Sequence, residues 1–481
     1  MMFEPKRLHP ISALINFVKG LKDAILPLIA VFFLNNNRGD GLLGSLPLII
    51  LSSLLLFILL SGIFRWLRFT YRVEEGELRI EHGMFLRKKR YIPIDRIQSL
   101  DFSEGIFHRP FQLVKVTVET AGSSASTEAE AELTAIHKEE AKQLELLLDE
   151  QKGQEVVGDD EENVESSRKL VYQMTRKEII LMALTSGGAG VVISGVLVFL
   201  SQGMEFLPIG AIYDEVINWL QIGLLIVAVA VLVVLFLAYG ISVLLTIFRY
   251  NNFSVYLDSG DLIMTRGLLE KKQVTIPLNR IQGLRIDENL IRQPLGLATV
   301  TIISAGGSVN SDAEHTLRIL PLIKRAEVQR VLQSILGEYQ LDEPLNRPPR
   351  RALFRYLMRF NSLPLIVATI VSIYFYPLGL LSLLLIPLFS LLGYLAYKDA
   401  GWNLLDNQLT FIHRFIIKQT FVMKKYRIQS FRKDQTLLQT RKNLASVEAT
   451  MKSGVGGAAA RVLYLEEKDT ETIMEWYRHK Q

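Results

Sequence analysis

The chain has 481 residues, no cysteine, a formal net charge of +5 and 49% apolar residues. Without cysteine, disulfides, thiolate metal sites and cysteine nucleophiles are excluded. The positive mean hydropathy is high for a soluble chain and points to membrane spans, and the length leaves room for several modules.

Residues 1–13 form a mixed leader with Lys6 and Arg7, and Pro5 and Pro10 argue against a cleavable signal peptide. Residues 24–34 are continuously apolar and predict a first span; the turn-rich NNNRGDG of 35–41 leads to a second, uncharged span over 42–64. From Tyr71 to Thr120 short alternating segments are separated by Glu75-Gly76, His82-Gly83 and Glu104-Gly105, which predicts a small β domain. Leu133, Ile136, Leu144, Leu147 and Leu148 recur at helical spacing and predict a closing helix to about Gly153. The acidic run 155–167 cannot bury enough apolar surface to fold and reads as a linker.

The plan then repeats. Spans are expected over 179–200 and 220–247, joined by 201–218 with Glu205, Asp214 and Glu215. Strands follow from Asn252 to Ser304, then a helix through Val328, Val331, Leu332 and Ile335. A Pro/Arg linker, Pro344 to Arg351, precedes an apolar stretch from Asn361 to Tyr397 that Tyr376-Pro377 divides into two spans. The last strands run from Trp402 to Met451, and Ile473, Met474, Trp476 and Tyr477 mark the last helix. The expected boundaries are a transmembrane hairpin over 1–65, a β module over 66–153, an acidic linker over 154–175, a second hairpin over 176–248, a second module over 249–340, a linker over 341–352, a third hairpin over 353–398 and a third module over 399–481.

One phrase registers the three units. Residues 92–98 read IPIDRIQ, 276–282 read IPLNRIQ, and 425–429 read KYRIQ. From Arg96 to Arg280 the offset is 184 residues, and without a gap it also aligns Phe64-Arg65 with Phe248-Arg249, Gly83 with Gly267, Pro110 with Pro294 and Ala121-Gly122 with Ala305-Gly306. From Arg280 to Arg427 the offset is 147, aligning Leu262 with Leu409, Lys271 with Lys418 and Val300 with Val447. Such long-period identity means tandem modules. The third copy departs at Lys424 and Arg441, where the others have proline. Arg and Lys cluster at the span ends on the module side (Arg65, Arg68, Arg176, Lys177, Arg249, Arg355, Arg359, Lys398), whereas Arg38 stands alone on the other side, so the modules and both termini are expected to be cytoplasmic.

Five features bear on chemistry. The basic turn Arg87-Lys88-Lys89-Arg90, with Lys271 and Lys272 in the second unit, could meet anionic headgroups, each close cation contributing about 1 kcal/mol; the alternative is a solvated hairpin turn. In the repeated phrase, period-two alternation places Arg96 and Gln98 on one strand face and Ile97 on the other, and likewise Arg280 with Gln282 and Arg427 with Gln429; these pairs are either structural hydrogen-bonding devices or contacts between modules. Gly-rich stretches at 121–124, 304–308 and 453–457 read as hairpin loops rather than anion nests. The row Ser186, Gly190, Ser194 reads as close helix packing rather than a substrate path. The seven histidines show no metal-ligand spacing, with His82 and His413 read as surface-turn residues, and no nucleotide-loop or nucleophile-elbow pattern occurs; a set of Asp95, Arg96 and His108 has nothing beyond residue type behind it.

Paired spans followed by a small β domain, a closing helix and the IPxxRIQ phrase resemble the bacterial PH-like membrane-flanked domain family, over nearly the whole chain from about Leu42. The resemblance implies for each module a PH-like fold, a bent seven-strand sheet capped by a C-terminal helix. The expected fold is therefore an α+β membrane protein with six transmembrane helices in three hairpins, each followed by a cytoplasmic PH-like β domain. The expected function is a non-enzymatic scaffold or adaptor in the cell membrane, without cofactor, metal or nucleic acid. Its modules would bind each other, membrane lipids or another PH-like membrane protein, and a homo-oligomer is a further expectation. The competing reading is a transporter for a lipid or amphiphilic peptide, gated by the modules.

Overall fold

The computed structural model describes residues 4–24, 42–83, 86–120, 131–151, 168–186, 223–258, 260–305, 317–341, 344–453 and 457–478. Helix α1 (Ile11–Asp23) and helix α2 (Leu42–Leu67) form the first hairpin. At about 1.5 Å per residue, the 13 residues of α1 extend roughly 20 Å, short of a bilayer core. Helix α4 (Arg176–Thr185) opens on a capping box in which Thr175 and Glu178 satisfy each other's backbone N–H groups. Helix α5 is Gly223–Tyr250, and the third hairpin is α7 (Leu353–Tyr374) and α8 (Leu385–Asp399), joined by a turn at 375–377 and a 3-10 segment.

Among the described residues four helices, not six, are long and apolar enough to cross a membrane: Ile49–Leu67, Leu232–Tyr250, Arg350–Tyr374 and Gly379–Asp399. The first and third expected spans run into 25–41 and 187–222, which lie outside the described residues. So do the loop 35–41, the connection 201–218, the acidic run 155–167, Gly190 and Ser194, and most of the three Gly-rich stretches.

Each module is a β domain closed by a helix. Module one holds β1 (Lys6–Arg7), β2 (Thr70–Glu74), β3 (Glu77–His82), β4 (Lys88–Pro93), β5 (Ile97–Glu104), β6 (Leu113–Thr120) and β7 (Ala131–His137), then α3 (Lys138–Gln151). Module two holds β8 (Lys169–Gln173), β9 (Ser254–Asp258), β10 (Asp261–Arg266), β11 (Lys271–Pro277), β12 (Ile281–Glu288), β13 (Leu297–Ser304) and β14 (Leu317–Lys324), then α6 (Val328–Ile335). Module three holds β15 (Gly401–Leu405), β16 (Gln408–Arg414), β17 (Lys418–Lys424), β18 (Ile428–Asp434), β19 (Leu444–Met451) and β20 (Ala458–Glu466), a short α9 (Leu437–Thr440), and α10 (Glu467–Arg478). Alternating strands bury one face: Leu78, Val116 and Leu133 in module one, Val255, Leu284 and Ile319 in module two, and Phe411, Val447 and Leu465 in module three. The closing helices add Leu148, Leu332 and Ile473 to these cores.

Two features depart from the expected boundaries. First, each module recruits chain from upstream of its spans: β1 pairs with β2, β8 pairs with β9, and in module three a single bridge joins Asn346 to Trp402. Strand β8 thus belongs to a sheet rather than to the expected linker, and Asn346 in the next expected linker bridges to one. Second, the sheets do not stop at module boundaries. Strand β5 pairs with β11 in a seven-strand sheet ordered β7-β6-β5-β11-β10-β9-β8, and β12 pairs with β17 in a six-strand sheet ordered β14-β13-β12-β17-β16-β15.

Candidate interfaces between modules and with the membrane

The repeated phrase is where each module changes sheet. Residues 94–96, 278–280 and 425–427 form 3-10 turns, and the strand begins only at the following isoleucine. Arg96 and Gln98 therefore do not share a strand face, as alternation predicted: Arg96 ends the turn, Ile97 is buried, and Gln98 is the residue at which the β5–β6 register shifts. The same shift falls at Gln282 and Gln429. A bulge at that point bends the strand and raises its twist, which turns the chain from the first half-sheet into the second. Gln282 fixes the turn by donating from Nε2 to the Arg280 carbonyl at 3.0 Å.

The arginines of the phrase reach backwards, into the preceding module. Arg280 Nη1 lies 3.5 Å from Glu119 Oε2 of module one, with side-chain exposures of only 12% and 10%. Ser99 Oγ donates to the same carboxylate at 3.2 Å, and Asp101 Oδ1 accepts the Thr275 backbone N–H of β11 at 3.1 Å. Burial raises the Asp101 carboxyl well above its usual range, and the nearby Glu119 charge adds to it; the Thr275 N–H and Arg280 oppose the shift. Burial likewise lowers Arg280, against the pull of Glu119 and Asp101. Arg427 Nη2 donates to the Asn279 carbonyl of module two at 2.7 Å. Arg96 is exposed, with no hydrogen bond or ion pair among the described residues.

Both junctions share one register. Lys271 faces Glu104 in the first, and Lys418 faces Glu288 in the second, the same pair of positions by the repeat offsets. Lys418 Nζ bonds Glu288 Oε2 at 2.6 Å, and Gln419 Nε2 donates to Asp287 Oδ1 at 3.0 Å. Gly283 makes close approach possible there: a Cβ would stand 2.9 Å from the Val422 carbonyl and 2.5 Å from Met451 Sδ. Gln408 adds a reciprocal pair with the Gln340 backbone, accepting at 3.1 Å and donating at 2.5 Å.

The basic turn lies on β4, which has no strand on its outer edge among the described residues. Lys88, Lys89 and Arg90 are exposed; Arg87 pairs with Glu81, and Lys89 lies 3.5 Å from the same carboxylate. Lys271 and Lys272 instead lie at the first junction, Lys272 also 3.5 Å from Glu270. A cavity of about 200 Å³, absent from the sequence reading, lies under the third hairpin, lined by Arg359, Arg414, Arg461 and His413 among others. Arg414 is held there by Asp399 at 2.5 Å.

Asp95 and Arg96 stand at one end of β5 and His108 just beyond the other, about 23 Å away along the strand. His108 is buried and bonded to the Thr134 carbonyl at 2.8 Å. His82 and His413 are half-buried rather than on the surface, stacked on Phe69 and Phe421. Sequence reasoning missed Glu119, Asp101 and Asn279. One signal existed for Glu119: at the repeat offset its counterpart is Ile303, so a charged residue stands on a strand where the next copy is apolar.

A bacterial PH domain profile matches the chain three times, over residues 24–152, 207–338 and 361–481. The chain is 38% identical over 494 aligned positions to a transmembrane protein, YdbT, of Bacillus subtilis (strain 168), covering 100% of this chain and 99% of the relative.

Proposed function

Because this chain belongs to the bacterial PH domain family, we propose that it is a multi-pass scaffold of the cell membrane whose cytoplasmic modules are strung together by strand pairing and capture one more PH-like module from another protein. One observation carries this reading. The junction is made twice in one register, and module one keeps the same pairing apparatus, strand β4 and Arg96, with no strand paired to that edge among the described residues. The chemistry of that edge selects the partner. Extending the register to β4 puts Arg87 opposite the position held by Glu104 and Glu288, and Arg90 opposite that of Asp101. An acidic β5-type strand is therefore favoured, and cations on an edge discourage indiscriminate pairing.

A second copy of this chain fits less well. Its free β18 would set Lys433 against Lys89 and Arg432 against Arg90, and like charges directly opposite are destabilising. A scaffold is favoured over a transport pathway by the third hairpin, which is closed by Asn361 Nδ2 to Ser390 Oγ at 2.9 Å and by Ser382 Oγ to the Ala368 carbonyl at 3.1 Å. The arginine-lined cavity beneath it supports an additional contact with an anionic headgroup. The test is a photo-crosslinking residue at Tyr91, which is 54% exposed on β4, in the full chain in its native membrane. The expected product is a crosslink to a second polypeptide whose sequence contains a PH-like module. Adducts confined to lipid, or to the chain itself, would remove the adaptor reading.

A further inference from the structure

The PH-like modules carry exposed apolar pairs whose side chains neither the strand pairing at the junctions nor the cores use. In module two the loop after β12 presents Leu290 and Ile291, 43% and 57% exposed. The repeat offsets carry these positions to Ile106 and Phe107 in module one and to Leu437 and Leu438 in module three, and all four are likewise exposed. Solvent would not favour three copies of such a pair.

Hydrogen bonds fix the depth of this loop. Asn289 Nδ2 donates to the Thr185 carbonyl at 2.8 Å, and Arg292 donates to Thr185 Oγ1 at 3.0 Å and to the Met182 carbonyl at 3.3 Å. Thr185 is nine residues beyond Arg176, where α4 begins, so the loop stands about 13 Å along that helix from its charged start. Exposed Ile180, Leu181 and Leu184 share that level on α4. The hairpin tip between β10 and β11 is also level with a span: its Leu268 N–H donates to the Phe248 carbonyl at 2.8 Å, within the Leu232–Tyr250 segment. In module three the tip residue Phe415 packs its ring 5.4 Å from Phe360, inside the Arg350–Tyr374 segment, and Arg355 donates to the Leu438 carbonyl. Loops and tips join across the junctions, Arg109 Nη2 to the Leu268 carbonyl at 2.5 Å and Arg414 to Gln293, so they form one continuous rim.

We propose that this rim is inserted in the lipid interface, so that the modules lie against the bilayer as one sheet-linked raft rather than hanging from their spans. The occupant is lipid, because the rim lies level with the candidate spans Leu232–Tyr250 and Arg350–Tyr374 at its contacts with Phe248 and Phe360. Apolar side chains there enter the acyl boundary. The inference rests on the membrane-scaffold reading but not on its protein partner.

The absence of native cysteine makes the test direct. Single cysteines at Ile106, Ile291 and Leu438, and at exposed Asp95 as an aqueous control, are spin-labelled in the full chain in nanodiscs. Collision with oxygen is compared with collision with a water-soluble nickel chelate. The rim labels are expected to favour oxygen, and the Asp95 label the chelate. Chelate access at the rim equal to that at Asp95 would overturn the proposal, as would low access to both reagents, which marks a protein cover. Failure here leaves the Tyr91 crosslink unaffected, so the two readings fall separately.

Discussion

Replacing Arg280 with methionine should open the first junction while leaving each module folded. The substitution keeps the aliphatic reach but strands Glu119, which is 10% exposed, beside the Asp101 carboxyl. Removing one member of a buried ion pair costs about 3–5 kcal/mol. The 3.5 Å separation and the Ser99 hydroxyl at 3.2 Å favour the lower end, about 3 kcal/mol. At about 1.4 kcal/mol per tenfold, exchange of the β11 amides through junction opening should accelerate by about two orders of magnitude. Hydrogen–deuterium exchange of the full chain, read on peptides covering β5 and β11, measures this. Glu119→Gln alone should cost far less, and adding it to Arg280→Met should recover most of the loss. Acceleration below about threefold, or purely additive single effects, would refute the claim that the pair holds the junction.

Gly283→Val should break the second junction through its clash with the Val422 carbonyl and Met451, at about 1–3 kcal/mol, seen as faster exchange in β12 and β17 with β5 and β11 unchanged. Asp101→Asn should remove a pH dependence: the folded carboxyl titrates above its unfolded value, so its stabilising contribution is present below the unfolded pKa and is lost as pH rises through the folded one. Thermal midpoints of the parent chain should accordingly fall across that window, and those of the variant should stay flatter. Arg427→Met should cost about 1 kcal/mol, the loss of one exposed charge-assisted bond to Asn279, and Arg96→Met should leave thermal stability unchanged while reducing the Tyr91 crosslink.

Much of this architecture was legible because its signals are local and periodic. Uncharged apolar runs gave the spans at 42–64 and 361–397, and alternation gave the strands from Tyr71 to Thr120. The repeat offset supplied the module count without any knowledge of the sheets. What escaped was non-local. Nothing in Lys169–Gln173 says that it pairs with a strand some eighty residues later, beyond an apolar helix. The Arg-Ile-Gln phrase invites an alternating strand, yet the 3-10 turn and the bulge at Gln98 override the period, because the chain must leave one half-sheet for the other there. Within the phrase the residues differ: Gln282 bonds within its own module's turn, and Arg280 and Arg427 reach the preceding module.

Strands β1 and β8 leave the ribosome before the spans that separate them from their partners. Neither can complete a sheet until the intervening chain, with its apolar helix, has been made and brought back alongside. Module folding is thereby coupled to the placement of that chain: a segment that fails to return would leave β2 or β9 with a bare edge. Such an edge is sticky and open to proteolysis, so a wrongly threaded chain would mark itself for removal before its modules could join.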